Sequence, residues 1–148
     1  MKAVLHTDGG ARGNPGPAGI GVVLERPDGA VVADLARGIG NATNNVAEYR
    51  ALIAGLELAL ERGVTELDIR VDSELVVNQI NGDWKLKDDR LRVLAVKARS
   101  LMRRFESASI SHVRREQNAG ADRLANQGMD EAMAAADADD LGQTSFLE

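Results

Sequence analysis

The chain has no cysteine, two histidines and one tryptophan in 148 residues. Without cysteine there is no disulfide, no thiolate zinc site and no Cys nucleophile, and the composition suits a reducing cytoplasm. Two histidines are too few for a His-rich zinc site. Any bound metal must therefore be held by carboxylates, which favours Mg2+ or Mn2+. No apolar run is long enough to cross a bilayer, and the opening "MKAVLHTDGG" has the pattern of neither a signal peptide nor a transit segment, so no membrane partner is expected. Nothing in the sequence points to an oligomer, and a monomer is expected.

Positive charge is also scarce, with a net charge of −5, which looks wrong for a nucleic-acid binder. Its distribution changes the picture. Residues 130–148 hold six acids and no Lys or Arg, which leaves 17 acids against 18 bases elsewhere. Between Trp84 and Arg123 there are 11 bases and five acids. A basic zone precedes an acidic tail.

Apolar and charged shares of 44% and 28% are ordinary for a globular protein, and the length fits one domain with its own core. "KAVLHTDGG" reads as a strand ending at Asp8. "GIGVVLERPDGAVVADLARGIG" reads as two strands joined by a turn at Pro27-Asp28-Gly29. A helix follows, capped by Thr43, Asn44 or Asn45 and closed near Gly63, with Leu52, Ile53, Leu56, Ala59 and Leu60 at helical spacing. Then come a strand with Leu67, Ile69 and Val71 on one face, a short helix from Ser73 to Ile80, a long arginine-rich helix, the strand "ASISHV" and a last helix capped by Asn118. The order β-β-β-α-β-α-α-β-α predicts an α/β mixed sheet with helices on its faces. The expected domain covers residues 1–130, and the acidic, Ala-rich 131–148 tail is expected to be disordered.

Asp8 and Asp72 end strands in this reading, and Glu48 and Asp122 lie in the first turns of helices. Each has a plain explanation alone: a turn acid, a cap for the helix at "DSELV", or a favourable charge at a helix start. Brought to one sheet edge, four carboxylates would repel unless a cation compensates. Two Mg2+ ions would do so and would clamp the attacking and leaving oxygens of a phosphodiester.

The segments "TDGGARGNPGPAGIG", "ATNNVAEYRALIAGL", "VDSELVVNQINGDWKLK" and "RREQNAGADRLAN" together resemble type 1 ribonuclease H (ribonuclease HI), in that family's order and across roughly residues 1–130. The resemblance implies a ribonuclease H-like fold: a five-stranded mixed sheet in order 3-2-1-4-5 with helices on both faces. It implies a Mg2+-dependent endonuclease, with Mn2+ as a substitute, that cuts the RNA strand of an RNA/DNA hybrid and leaves 5′-phosphate and 3′-hydroxyl ends. Asp8, Glu48, Asp72 and Asp122 match the family's catalytic, metal-holding acids. Asp8 would be shared by both ions, Asp122 would serve the ion that activates water, and Glu48 and Asp72 would complete the other.

Gly10, Gly13, Asn14, Asn44 and Asn45 resemble the family's contacts to the RNA sugar edge, where the 2′-hydroxyl marks RNA, and Thr43 resembles part of a DNA phosphate pocket. Trp84 with Lys85 and Lys87 resembles a stacking and phosphate contact to DNA. Two departures stand out. Only "GDWKLKDDRL" separates the two middle helices, so the basic protrusion of many bacterial members is missing and the chain resembles the short form. That form is associated with broader substrates, which adds double-stranded RNA and RNA–DNA junctions as alternatives. His112 stands ten residues before Asp122, where many members have an auxiliary histidine, but the short-form pattern VxRxxN is matched by Arg115 and Asn118. Arg115 is the preferred auxiliary group and His112 the runner-up, and Asn118 is expected among the substrate contacts. Another nuclease of the same fold would leave the amides of "TNN" without a purpose. A non-catalytic hybrid-binding module would be expected to lack one of the acids.

Overall fold

The structure, a computed structural model, describes residues 1–82 and 86–147. Ten elements follow one another: β1 (Lys2–Ala11), β2 (Gly16–Glu25), β3 (Val31–Ala42), α1 (Asn44–Glu61), β4 (Glu66–Val71), α2 (Glu74–Ile80), α3 (Asp89–Met102), β5 (Ser107–His112), the 3-10 turn η1 (Arg115–Asn118) and α4 (Ala119–Leu147). The strands form one sheet in the order β3-β2-β1-β4-β5. The β1–β2 and β2–β3 pairs are antiparallel, and β1–β4 and β4–β5 are parallel. This is the mixed α/β sheet, in the order the family resemblance implies.

The local sequence explains the punctuation. The turn after β2 closes with Gly29 N–H donating to the Arg26 carbonyl at 2.9 Å, and Gly29 takes a φ of 93°, which only glycine adopts without strain. Thr43 caps α1, its hydroxyl accepting from Val46 N–H at 3.2 Å, and Ser73 caps α2 in the same way through Val76 N–H. Asp88 caps α3. Only residues 81–88 separate α2 from α3 in the sequence.

Side chains alternate along β1, and the alternation separates the two layers of helices. Leu5 is fully buried among Tyr49, Leu52 and Leu56 of α1 and Ile69 of β4, in a core that also takes in α3 through Leu91, Ala95 and Ala98. Gly9 faces the same way, and a Cβ there would collide with the Ala47 carbonyl of α1. Gly10 faces the other layer, where a Cβ would lie 3.3 Å from Met129 of α4. On β2, Val22 and Leu24 enter the α1 core, while Gly19 and Gly21 press on the backbone of α4 at Met129 and Ala121. The α4 face that meets them is equally small: Ala121 and Ala125 are buried, and Gly128 abuts the Arg37 carbonyl. Small residues on both sides bring helix axis and sheet close together.

The last helix runs further than the sequence reading has it. Where a disordered tail is expected from residue 131, α4 continues to Leu147. Alanine is the best helix former, and the segment is rich in it. Ala132 is buried over Gly38 of β3, and Asp130 is bonded by Arg12 from the end of β1. The contacts that hold the first half of the helix thus extend past residue 130.

Gly21→Ala should destabilise the protein by about 1–3 kcal/mol, because the added methyl meets helix backbone that cannot rotate away. Urea unfolding measures this, and wild-type stability in the variant would contradict the packing described.

Candidate active site

The parallel pair β1–β4 ends at Thr7 opposite Val71. Asp8 is the next residue of β1, and Asp72 directly follows the end of β4. Beyond that point β1 continues to Ala11 with β2 alone, so its other edge opens into a cleft of about 530 Å3. This is the carboxyl end of neighbouring strands whose connections diverge, the usual place for a site in an α/β sheet. Asp8, Glu48, Asp72 and Asp122 all line the cleft, together with Arg115.

Each acid arrives by a local device. Asp8 lies inside β1 rather than at its end, and its register partner is Gly21. The helix backbone over Gly21 is that of Ala121, which brings Asp122, in the first turn of α4, against Asp8. Gly9 does the same for α1: the Ala47–Glu48 peptide sits on it. Glu48 is not in the first turn of α1 as expected. Thr43 is the cap, so the helix begins at Asn44 and its first turn contains no acid. A helix-dipole role for Glu48 is thereby removed, and the side chain is left facing the cleft. Asp72 is relieved of capping in a similar way, since Ser73 caps α2. Ser73 was not singled out in the sequence; its hydroxyl also donates to Glu48, and the serine after an acid in "DSELV" is the signal that could have found it.

The electrostatics record what the packing imposes. The Asp8 carboxyl is pushed from 3.8 up to about 8, first by burial and then by the negative charge of Asp72, with Asp122 and Glu48 adding to it. Burial, with the charge of Asp72, raises Glu48 to about 7, against the Ser73 hydrogen bond that favours its ionised form. Asp72 is raised by burial, although the Arg115 guanidinium pulls the other way. Arg115 Nε lies 3.9 Å from Asp72 Oδ2, with the arginine side chain 82% exposed and the aspartate 11%. The guanidinium thus stands at the mouth of the cleft and the carboxylate inside it. His112 ends β5 beside Val71, exposed and outside the cleft lining.

Asn14 and Asn44 bind the rim together. Asn44 Oδ1 accepts from Ala11 N–H at 2.8 Å, and Asn14 Oδ1 accepts from Asn44 N–H at 3.1 Å. Among the described residues neither side-chain NH2 has a protein acceptor, so both donors remain for a ligand. Gly10 lines the cleft, Gly13 turns the chain beside Asn14 with a φ of 81°, and Asn45 lies in the first turn of α1. Asn118 is misplaced as a substrate contact. It is 1% exposed, with Nδ2 donating to the Thr7 carbonyl at 2.9 Å, and belongs to the scaffold. It ends η1 rather than capping α4 directly. Trp84 and Lys85 lie outside the described residues.

A five-stranded sheet in this order, with acids where its parallel strands open, defines the ribonuclease H-like class of α/β domains. The family model described as reverse transcriptase-like matches residues 6–128. A bifunctional protein of Mycobacterium tuberculosis is 51% identical over 142 residues, covering 94% of this chain and 39% of its own length. The N-terminal RNase H domain of that protein, solved as a fusion with maltose-binding protein, superposes with a TM-score of 0.89 at 49% identity, over 92% of this chain and 99% of that one. Ribonuclease HI of Halobacterium salinarum is 50% identical over 127 residues, 86% of this chain and 64% of that protein. LC11-RNase H1, isolated from compost and solved in complex with an RNA/DNA hybrid, gives a TM-score of 0.84 at 41% identity, over 88% of this chain and 99% of that one. The chain belongs to the ribonuclease H family. It spans less than two thirds of the mycobacterial and halobacterial relatives, 39% and 64% of their lengths.

The raised carboxyls set a pH dependence. A folded-state pKa above the unfolded value means that the native protein holds protons the unfolded chain has lost, so stability falls as pH rises between the two. In chelator, stability should decline from about pH 4 to about pH 8, the interval between the ordinary and folded values of Asp8. Asp8→Asn should flatten this decline and raise the melting temperature at pH 8. A variant less stable than wild type at pH 8 would show that the carboxylates are not in conflict.

Proposed function

We propose that the chain is a Mg2+-dependent endoribonuclease that hydrolyses the RNA strand of RNA/DNA hybrids, with 5′-phosphate and 3′-hydroxyl products. The observation that carries this reading is the meeting of Asp8, Glu48, Asp72 and Asp122 in one cleft, where burial and neighbouring negative charge disfavour the ionised forms of Asp8, Glu48 and Asp72. Folding alone would not select such a cluster. Its kinship with a ribonuclease HI, and with an RNase H1 solved on an RNA/DNA hybrid, supplies the substrate class.

The donor set fits Mg2+. All four side chains offer hard carboxylate oxygen, and no thiol competes. Among the described residues no group of three His, Asp or Glu side chains is arranged to hold an ion unaided. Mg2+ completes its shell with water and phosphate oxygen. Asp8, at the centre of the cluster, would be shared between two ions, with Asp122 beside one and Glu48 and Asp72 beside the other. When bound, the ions would supply an acidified water and neutralise the charge that grows on the scissile phosphate. Mn2+, with the same ligand preference, would substitute.

The protein's own groups orient the substrate. Arg115 offers a guanidinium whose N–H fork can hold a phosphate oxygen beside Asp72. The free NH2 donors of Asn14 and Asn44, with Asn45 and the bare backbone at Gly10 and Gly13, face the sugar edge where a 2′-hydroxyl can accept. Thr43 contributes a hydroxyl beside a helix N-terminus for a DNA phosphate. Among the described residues no helix is long and apolar enough to cross a membrane. We take the working unit to be a monomer in the cytoplasm, the compartment that a cysteine-free chain suits.

Labelled RNA/DNA hybrid, duplex RNA, duplex DNA and single-stranded RNA, each with Mg2+ and with chelator, test the proposal. Hybrid cleavage that needs the ion is expected. Equal activity on duplex DNA, or activity surviving chelator, would overturn it. Asp8→Asn should lower the rate by about two to three orders of magnitude or more, the scale of losing one preorganised electrostatic group. Arg115→Ala should slow turnover and His112→Ala should not; the reverse would move the auxiliary role to His112.

A further inference from the structure

We propose that His6 is a positioning residue, which sets the register between Asp8 on β1 and the segment that carries Arg115 and Asp122. The inference rests on the hydrolase reading above and deepens it. His6 lies two residues before Asp8, on the face of β1 turned toward α4. Its Nδ1 is 3.2 Å from Asn118 Oδ1, and its Nε2 is 2.8 Å from Glu25 Oε1 on β2. The direction of the first bond follows from its neighbour. Asn118 commits its Nδ2 to the Thr7 carbonyl, so Oδ1 can only accept and His6 Nδ1–H must donate.

Asn118 is the hinge point of the arrangement. It ends η1, which begins at Arg115, and it stands four residues before Asp122. Two bonds from one buried amide therefore tie the η1–α4 junction to Thr7 and His6, immediately upstream of Asp8. Without the imidazole, the amide would retain one anchor and could swivel about it. Glu25 fixes the ring from the opposite side, and without it the ring has no second partner to hold its orientation. Groups that orient ligand-bearing segments in this way act through geometry and never touch substrate.

His6→Phe removes both bonds at similar size, and a cavity of about 140 Å3 between His6, Gln117 and Gly120 leaves the ring room. His6→Asn keeps an N–H donor near the place of Nδ1. Two readouts are compared: hybrid cleavage with Mg2+, and amide hydrogen exchange across residues 115–122 in the metal-free protein. We expect His6→Phe to lower kcat by about ten- to a hundredfold, the usual effect of losing an orienting group, with KM within about twofold. Exchange at 115–122 should quicken while the β1–β2 amides remain protected. His6→Asn should restore most of both. Wild-type exchange at 115–122 in His6→Phe, or equal loss in both variants, would overturn the inference. If the wild-type protein cleaves no hybrid, the hydrolase reading falls, while the exchange comparison still decides whether His6 holds the junction.

Discussion

Repulsion among four half-buried carboxylates is the constraint around which this domain is arranged. Asp8, Glu48, Asp72 and Asp122 come from β1, α1, the end of β4 and α4, and the charges of Asp72, Asp122 and Glu48 all disfavour ionisation of Asp8. They are held there by close backbone approach. Gly9 admits α1 and Gly21 admits α4, one on each side of the strand that bears Asp8. Any side chain at either glycine would lift a helix away and take an acid with it. The hydrophobic core of α1, α3 and the sheet supplies the free energy against which the clustered charges are held.

The sequence made the architecture legible where local chemistry decides. The Pro27-Asp28-Gly29 turn and the alternation of Leu67, Ile69 and Val71 each follow from one short stretch, and each is found in place. The meeting of the acids could be inferred only as a set, since each alone has a plainer use. Less legible were the details that depend on tertiary contact. The placement of Glu48 in the second turn depends on which of three adjacent polar residues caps α1. The burial of Asn118 depends on a carbonyl 111 positions away. The run of α4 past residue 130 combines a local preference of alanine for helix with contacts from Arg12, just after β1, and Gly38 of β3.

A division of labour emerges along the rim. The carbonyl oxygens of Asn14 and Asn44 close the scaffold, and among the described residues their NH2 groups have no protein acceptor. Ser73 caps one helix while bonding Glu48 of another. Asn118 and His6 join the two halves behind Asp8. Polar groups with two partners of different kinds let one side chain serve both stability and chemistry, which is why the cleft can be rigid although its centre is electrostatically unfavourable.

The central claim is that protons occupy the place of the cation when the cation is absent. Asp8 titrates near 8 and Glu48 near 7 in the metal-free protein, so at pH 7 the cluster is partly protonated. Titration of the protein with Mg2+ at pH 7, in calorimetric buffers of differing ionisation enthalpy, counts the protons displaced. Release of roughly one proton per protein on saturation is the expected result. Binding with no proton release, or no binding at all, would contradict the account.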